Sequence, residues 1–554
     1  MTQTTTSPTV AQHLVKQLQR WGCKRIYGVI GDATLYLLDA MGKQSDIAYI
    51  ACRTETNAAL MASAEAKLTG QMAVCIATSG PGIASLLNGL ADAACDQAPV
   101  LVITGQVERT HLGTGTVQDI NQQALIHPIA RYSSLVADSH AFPKLLNIAM
   151  KMACEQGGVA HLSVPKDLWR LPVTGTPFPS PPTKHYPIPT ETELEQICKR
   201  IDDAKRPVIL AGRGIQHATG PALQLAEHLH APLIATMPAK PYVPNDHELF
   251  VGGLGQAGSE IARELLEQAD LCLILGATWW PSDYVPSTVP IIQIDADPQH
   301  IGRTHATVGA VAGNLAHLLP LLINQVAAKD HPSYAEEIAQ KKQRWNQQLT
   351  TERTPSAQGL TPAQGLTPAH VFAALNEVIA PDAIMAVDTG DHTLWLERTF
   401  QFDRQELLLS GTWRTLGFGL PAGIAAQLAQ PGRQVVSIAG DGGCYYSLPE
   451  LNTAVTHQLP LTYLILNNQS YAMEQRRMEV EALTQVGAVV PNADFAGIAR
   501  ACGAEAHRVT QPSELTDTLV QALASPRTSV VEIFCDSPPL PHYKIITGID
   551  ETND

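Results

Sequence analysis

The sequence predicts an α/β protein built from three doubly wound parallel-sheet domains, and two observations carry that expectation. Short apolar runs of strand length alternate with helix-length stretches in three successive blocks, the pattern of parallel sheets covered by helices. The blocks are joined by segments that read as connections: the proline-rich PVTGTPFPSPPTKHYPIP (172–189) and the tandem QGLTPAQGLTPA (358–369). The expected domains span residues 1–180, 190–345 and 366–554.

In the first block, MAVCIATS (72–79) and APVLVITGQ (98–106) read as buried strands, with Leu162–Pro165 as another. Val10–Arg20 and Ala58–Leu68 read as helices. The second block starts at Thr190, with strands at PVILAGRG (207–214), APLIAT (231–236), LCLILGAT (271–278) and PIIQIDAD (290–297). A charged helix, Ala335–Arg353, leaves it. The duplicated QGLTPA is a linker, because two short units cannot build a solenoid core. The third block starts near Pro368, with strands at AIMAVDTG (383–390), QVVSIAGDGG (434–443), LTYLILNN (461–468) and SVVEIFC (529–535). Open parallel sheets bind ligands outside the carboxyl ends of their strands, where this block's polar residues fall.

Composition narrows the function classes. A chain of 554 residues with 45% hydrophobic and 16% charged residues is globular and multidomain. The net charge of −15, with no basic stripe, argues against a nucleic-acid partner. Ten scattered cysteines without a CxxC pair fit reduced thiols in the cytoplasm. The polar N-terminus MTQTTTSPTVAQHL lacks the apolar run of a signal peptide, and no stretch is apolar enough to span a membrane. The expected location is cytoplasmic.

The strongest motif runs from Gly440 to Asn468. One apolar strand enters Gly440-Asp441-Gly442-Gly443, and a second enters Asn467-Asn468. A single strand–helix–strand unit separates them, so both oxygen donors return to one sheet edge. Magnesium favours a few hard oxygens completed by phosphate. Glycines before a helix start let backbone N–H groups approach a diphosphate. Either half alone reads as an ordinary turn or polar strand end; the pair at this spacing points to a cofactor.

This segment resembles the thiamine-diphosphate fingerprint. The resemblance implies that Asp441, Asn468 and the carbonyl of Ser470 hold Mg2+. It places Gly390, Asp391, Leu416, Gly440, Gly442, Gly443, Tyr471, Ala472 and Met473 around the cofactor. An independent match lies near the N-terminus. Arg53-Thr54-Glu55 is similar to the family's RHE, Thr78–Gly82 resembles its SGPG turn, and Gln118 in VQD matches its FQE. On that match Glu55 activates the cofactor, Pro81 and Asn88 touch it, and Gln118 and Met473 join the catalytic set. Leu416, in RTLGFGLP, supports the bent cofactor. A lone glutamate before a helix is ordinarily a solvated N-terminal charge; the flanking pattern is what singles Glu55 out.

The resemblance covers nearly the whole chain and lies nearest to the pyruvate oxidase and acetohydroxyacid synthase group. It implies decarboxylation of a 2-keto acid, followed by electron transfer to FAD in an oxidase or addition of a second keto acid in a synthase. The text leans to pyruvate oxidase at GDATLYLLDAM (31–41), EAKLTGQMAVC (65–75), MPAKPYV (237–243) and IDADPQHIG (294–302). Gly212-Arg213-Gly214, Met237–Lys240 including Lys240, the Gly276–Trp280 turn and Asp295–Asp297 fall where the family's flavin contacts lie. A NAD-type site is disfavoured because no GxGxxG follows the block's first strand. The resemblance also implies a homodimer or homotetramer, with active sites at the dimer interface. A carboligase or simple decarboxylase, and a non-catalytic cofactor-binding relative, stay open as alternatives.

Several positions depart from the family pattern. Thr54 replaces the usual histidine, Val117 replaces an aromatic that lines the substrate pocket, and Arg414 stands where a small residue is common. Met473 agrees with the synthases. Arg477 is neither the tryptophan of the synthases nor the glutamate of phosphate-using oxidases. Its sharper reading is a receiver for a substrate anion; its plainer reading, shared with Arg476, is a solvated helix face. Asp32 and Ala33 resemble the quinone-linked oxidases, which carry a membrane-binding tail beyond the position where this sequence reaches Pro541.

Overall fold

The first sheet contains β1 (Arg25–Gly28), β2 (Ala48–Ala51), β3 (Ala73–Ala77), β4 (Val100–Gln106), β5 (Ala130–Leu135) and β6 (Val159–Pro165). The middle sheet contains β7 (Pro207–Ala211), β8 (Leu233–Ala235), β9 (Phe250–Gly253), β10 (Leu271–Leu275), β11 (Ile291–Asp295) and β12 (Gly309–Ala312). The third contains β13 (Ile384–Val387), β14 (Glu406–Leu409), β15 (Val435–Gly440), β16 (Leu461–Asn467), β17 (Glu505–Val509) and β18 (Ser529–Phe534). These come from a computed structural model that describes residues 7–180, 186–277, 284–354, 365–489, 491 and 493–540. Helices cover the sheets, as the α/β expectation required, and the strand pairings are parallel throughout.

Strand order places the crevices. The outer sheets share one order, β2-β1-β3-β4-β6-β5 and β14-β13-β15-β16-β18-β17. Each reverses direction between its first and third strands, so its ligand crevice opens at β1/β3 or at β13/β15. The middle sheet runs β9-β8-β7-β10-β11-β12, the order of dinucleotide-binding sheets, with its switch point at β7/β10.

The apolar runs locate the central strands, which are buried along their length because both sheet faces are covered. The strand expected over 434–443 ends at Gly440, and Asp441 opens the helix Asp441–Ser447. The helix Val10–Arg20 forms as expected, with Thr9 and Gln12 in a reciprocal cap. The helix expected from Ala58 starts three residues earlier, at Glu55, because Thr54 is its N-cap and accepts from Asn57 N at 3.2 Å. The charged helix is Pro332–Arg353, with proline in its first turn. Thr278–Trp280, residues 358–364 of the duplicated linker and the sequence from Pro541 onward lie outside the described residues.

The first and third units share a core. The alanine-rich helix Glu55–Thr69 is buried on nearly every face and packs against the helix Gly419–Ala429. On its other side a Cβ added at Gly89 would lie 2.6 Å from Ala59 Cβ, so glycine sets that helix spacing. A charge cluster fastens the same seam. Lys67 Nζ lies 2.7 Å from Asp92 Oδ2 and 2.6 Å from Asp96 Oδ2, and donates to the Leu409 carbonyl at 3.2 Å. Asp96 in turn accepts from the Gly411 and Thr412 amides, both at 2.9 Å. Burial alone would raise the Asp96 carboxyl, but Lys67 and these amides outweigh it and hold it below the usual range.

Candidate active site

The crevice of the third sheet gathers the predicted metal donors. Gly440 pairs with Leu466, so Asp441 and Asn468 leave neighbouring strand ends. The Asp441 carboxylate is buried and accepts from Gly442 N at 2.8 Å. Asn467 is pinned by the buried Glu532, to which its Nδ2 donates at 2.9 Å. Asn468 Oδ1 accepts from Ser470 N at 3.0 Å, closing an Asx turn through Gln469. Tyr471 N donates to the Ala488 carbonyl at 2.8 Å. Two of the motif's glycines are demanded by the protein's own packing. A Cβ at Gly442 would lie 2.4 Å from the Tyr471 ring, and one at Gly443 2.7 Å from the Asp388 carboxylate.

Asp388 and His392, which sequence reasoning passed over, organise this crevice. Asp388 is fully buried. Its carboxylate accepts from Gly417 N at 2.9 Å and Phe418 N at 3.3 Å, fixing the turn that carries Leu416. Burial pushes the Asp388 carboxyl up to about 7, against the pull of those amides. His392 contacts the Asp388 carbonyl at 3.0 Å through Nε2 and stands beside Gly390 and Gly440. Burial pulls its pKa down to about 4, so the ring is neutral at pH 7. The available signal was an aspartate ending the apolar run AIMAVD.

Leu416 is half-buried, and Asn88 supports its loop from the first unit. Asn88 Nδ2 donates to Thr415 Oγ1 at 2.8 Å, and Asn88 Oδ1 accepts from Trp413 Nε1 at 2.8 Å. Arg414 takes a left-handed φ of 53°, a conformation that favours the small residue common there. On the helix Ala472–Val480 the two arginines differ. Arg477 is exposed beside Glu474, whereas Arg476 is buried. Arg476 pairs with Asp391 at 2.9 Å and donates to the Ser537 and Pro538 carbonyls at 2.7 and 2.9 Å. The sequence reading of Arg476 as a solvated face is therefore corrected: its guanidinium straps the segment after β18 to the start of the helix Asp391–Thr399.

The other predicted residues sit on the carboxyl edge of the first sheet. Glu55 follows β2, the Ser79-Gly80-Pro81 turn follows β3, and Val117 and Gln118 lie on the loop after β4. Gly80 has φ 59°, and a Cβ there would touch Gln118 Cα at 3.0 Å, so the turn needs glycine. Ser79 Oγ donates to Gln118 Oε1 at 3.1 Å. Glu55 is half-buried, while Val117 is 84% exposed. Glu450, also absent from the sequence reading, reaches this edge from the third unit. Its Oε1 accepts from Arg53 N at 2.8 Å and Thr54 N at 3.1 Å.

A long groove crosses the switch point of the middle sheet. A cavity of about 740 Å³ is lined by Arg213, Gly214, Gly276, Asp295, Asp297 and His300. A second, of about 210 Å³, shares Arg213 and Gly276 and reaches Thr389, Gly390, Arg414 and Met473. Gly212 and Gly276 let the two strand-end turns touch, since a Cβ at Gly212 would lie 2.2 Å from the Gly276 carbonyl. Asp295 accepts from Asp297 N at 3.0 Å, and its Oδ1 is 3.1 Å from His300 Nδ1. Lys240 faces elsewhere. Its ammonium donates to the carbonyls of Glu397 and Phe400 (2.9 Å to the latter), at the end of the helix Asp391–Thr399. Burial lowers the Lys240 pKa and raises that of Glu397, each partly offsetting the other.

The residues at hand fit the cofactor chemistry expected of them. One carboxylate, one amide oxygen and a main-chain carbonyl fall short of a complete magnesium shell, which suits an ion shared with phosphate oxygens. Among the described residues no cluster of three or more His, Cys, Asp and Glu side chains offers a rival metal cage. The N-terminal TPP binding domain of thiamine pyrophosphate enzymes matches residues 8–125, their central domain 194–322, and their C-terminal TPP binding domain 388–533. The chain belongs to the thiamine pyrophosphate enzyme family. Among its relatives, the thiamine pyrophosphate-containing protein YdaP of Bacillus subtilis is 35% identical over 96% of this chain and 93% of its own. Pyruvate oxidase of Lactiplantibacillus plantarum is 29% identical, over 92% of this chain and 85% of its own. The acetolactate synthase isozyme 1 large subunit of Escherichia coli is 27% identical, over 96% and 94%. The thiamine pyrophosphate enzyme described here carries all three domains. Among the described residues no helix is long and apolar enough to cross a membrane.

Proposed function

We propose that this thiamine pyrophosphate enzyme decarboxylates a 2-keto acid, pyruvate foremost, and passes the electrons to FAD in the manner of pyruvate oxidase. The observation that carries the reading is the groove. It starts at the dinucleotide-type switch point of the middle sheet and runs to Gly390 and Met473 on the third, which suits a flavin reaching the reacting centre. Bound thiamine diphosphate supplies the electron sink for breaking the bond beside the keto carbon.

The chain's own residues do the rest. Asp441, Asn468 and the Ser470 carbonyl would hold Mg2+ and, through it, the diphosphate. The N-terminus of the helix Asp441–Ser447 would add its amides to the same anion. Leu416, on a loop fixed by Asp388 and Asn88, would support the bound cofactor. Glu55 would meet the pyrimidine ring, and Gln118 the reacting end. Arg213, Asp295 and the glycine turns at Gly212, Gly214 and Gly276 would seat the flavin. Lys240 acts at a distance, by anchoring the middle unit to the third. The first-sheet edge of one subunit and the third-sheet crevice of another are complementary parts of one site, which makes a dimer the smallest active form.

A second reading, an acetolactate-synthase-like carboligase, is favoured by Met473 on the groove wall. Anaerobic visible spectra of the chain loaded with thiamine diphosphate, Mg2+ and FAD separate the two. Bleaching of the flavin band by pyruvate is expected; an unbleached band with acetolactate accumulating would replace the oxidase by the carboligase. Asp441→Asn should abolish the thermal shift that thiamine diphosphate with Mg2+ produces, and a shift left intact would refute the metal assignment.

A further inference from the structure

The helix that presents Glu55 is held at its start by a residue of the third unit. Glu450 is fully buried at the end of the short turn Leu448–Glu450. Its Oε1 accepts from Arg53 N at 2.8 Å, Thr54 N at 3.1 Å and Asn57 Nδ2 at 3.4 Å; its Oε2 accepts from Thr453 Oγ1 at 2.6 Å. A second contact backs the first, since the Arg53 guanidinium donates to Asn452 Oδ1 at 2.5 Å. A carboxylate receiving several N–H groups is a strong and directional anchor. Thr54 is the N-cap, so holding its amide fixes where the helix begins and how the next side chain, Glu55, leaves it.

We propose that Glu450 is a positioning residue for Glu55. The stretch Asp441–Glu450 is continuous: a candidate magnesium ligand stands at one end and the clamp on Glu55's helix at the other. Each chain thereby ties its own cofactor-side loop to the glutamate it contributes to a site. The catalytic half of this inference rests on the reading of Glu55 and Asp441 given above; the clamp itself rests on the hydrogen bonds alone.

The test uses the full chain with Glu450→Ala and Glu450→Gln. Amide hydrogen exchange across residues 51–60, without cofactor, reads the clamp. Steady-state kcat and KM for pyruvate, at saturating thiamine diphosphate and Mg2+, read its effect on Glu55. Glu450→Ala should speed exchange at Arg53 and Thr54 about tenfold and lower kcat by about the same factor, with KM for pyruvate little changed. Glu450→Gln should keep both near the parent, because its amide oxygen still accepts from the two N–H groups. Unchanged exchange in the alanine variant overturns the clamp. A lowered melting temperature with unchanged kcat makes Glu450 merely structural and overturns the positioning role. Equal losses in the alanine and glutamine variants also overturn it, since charge and not placement would then matter. Should the alanine variant not fold, Thr453→Ala, which frees Oε2, must show faster exchange at the same two amides or the proposal falls. Glu55→Gln with full turnover would instead sink the functional reading, a result distinct from any exchange outcome.

Discussion

Lys67→Met tests the seam between the first and third units. The Lys67 side chain is 2% exposed and that of Asp92 0%, so this pair is shielded from solvent. Methionine keeps the stem's packing but leaves Asp92 and Asp96 without their cation. Breaking a buried pair costs about 3–5 kcal/mol, because an uncompensated charge stays behind. Some of that is offset here. Ser63 Oγ still donates to Asp92 at 2.6 Å, and the Gly411 and Thr412 amides still serve Asp96. The expected loss is therefore about 3 kcal/mol, a large part of the roughly 5–15 kcal/mol that keeps a domain folded. Guanidinium unfolding at pH 7, followed by circular dichroism, measures it. Adding Asp92→Asn removes one stranded charge, so the double variant should regain about 1 kcal/mol or more over Lys67→Met alone. A single variant within about 1 kcal/mol of the parent, or a double variant no more stable than the single, would refute the reasoning.

Two further predictions follow from buried groups. Arg476→Met should cost about 3 kcal/mol and weaken thiamine diphosphate binding, since it strands Asp391 and releases the segment after β18. Arg477→Ala, exposed, should change stability by less than about 0.5 kcal/mol; melting curves of both variants with and without cofactor check this ranking, and the reverse order would refute it. His161 is buried between Thr104 and Ser133, and burial pushes its pKa down from 6.5 to about 3. The unfolded chain therefore binds a proton between those values that the folded chain refuses. Its contribution is complete above about pH 6.5 and is lost as pH falls towards about 3, by about 1.4 kcal/mol per pH unit. Lowering the pH from 7 to 4.5 should cost about 3 kcal/mol through this residue. His161→Gln should flatten that part of the stability profile in denaturant midpoints; an unchanged acid slope would dismiss the assignment.

The strands legible in the sequence were those buried on both faces. β3, β4, β7, β10, β15, β16 and β18 are near-continuous apolar runs, and a central parallel strand has little room for anything else. The strands that escaped are at or near sheet edges and are short or mixed. β2 (AYIA), β5 (ARYSSL) and β17 (EAHRV) are partly exposed and carry polar residues, as edge strands do. β1 (RIYG) is only four residues long and opens on an arginine, too short a run to stand out. Strand ends were overrun wherever an apolar run continued into a functional turn. Hydropathy cannot tell a strand's last residue from the first of a loop, and the GDGG segment changes to helix at Asp441 straight after Gly440, which is still extended and brings no side-chain cap.

The candidate site was legible to the same depth and no further. Local text carries a donor at a strand end, so Asp441, Asn468 and Glu55 could be proposed from their flanks. What could not be read is which partner each side chain meets across the fold. Arg476 and Arg477 are adjacent letters on one helix, yet one is buried against Asp391 and the other is exposed. The difference is set by the segment Ser537–Pro538, some sixty residues on, whose carbonyls receive the Arg476 guanidinium. Asp388 gave no signal beyond ending an apolar run, because its donors come from a loop after the next strand. Glu450 lies inside the very motif that revealed the cofactor site, but its contacts are almost four hundred residues away on the first sheet's edge. Residues that touch a ligand keep a local pattern because the ligand's geometry is fixed. Residues that hold other residues answer to tertiary contacts, and those become visible only once the three sheets are packed.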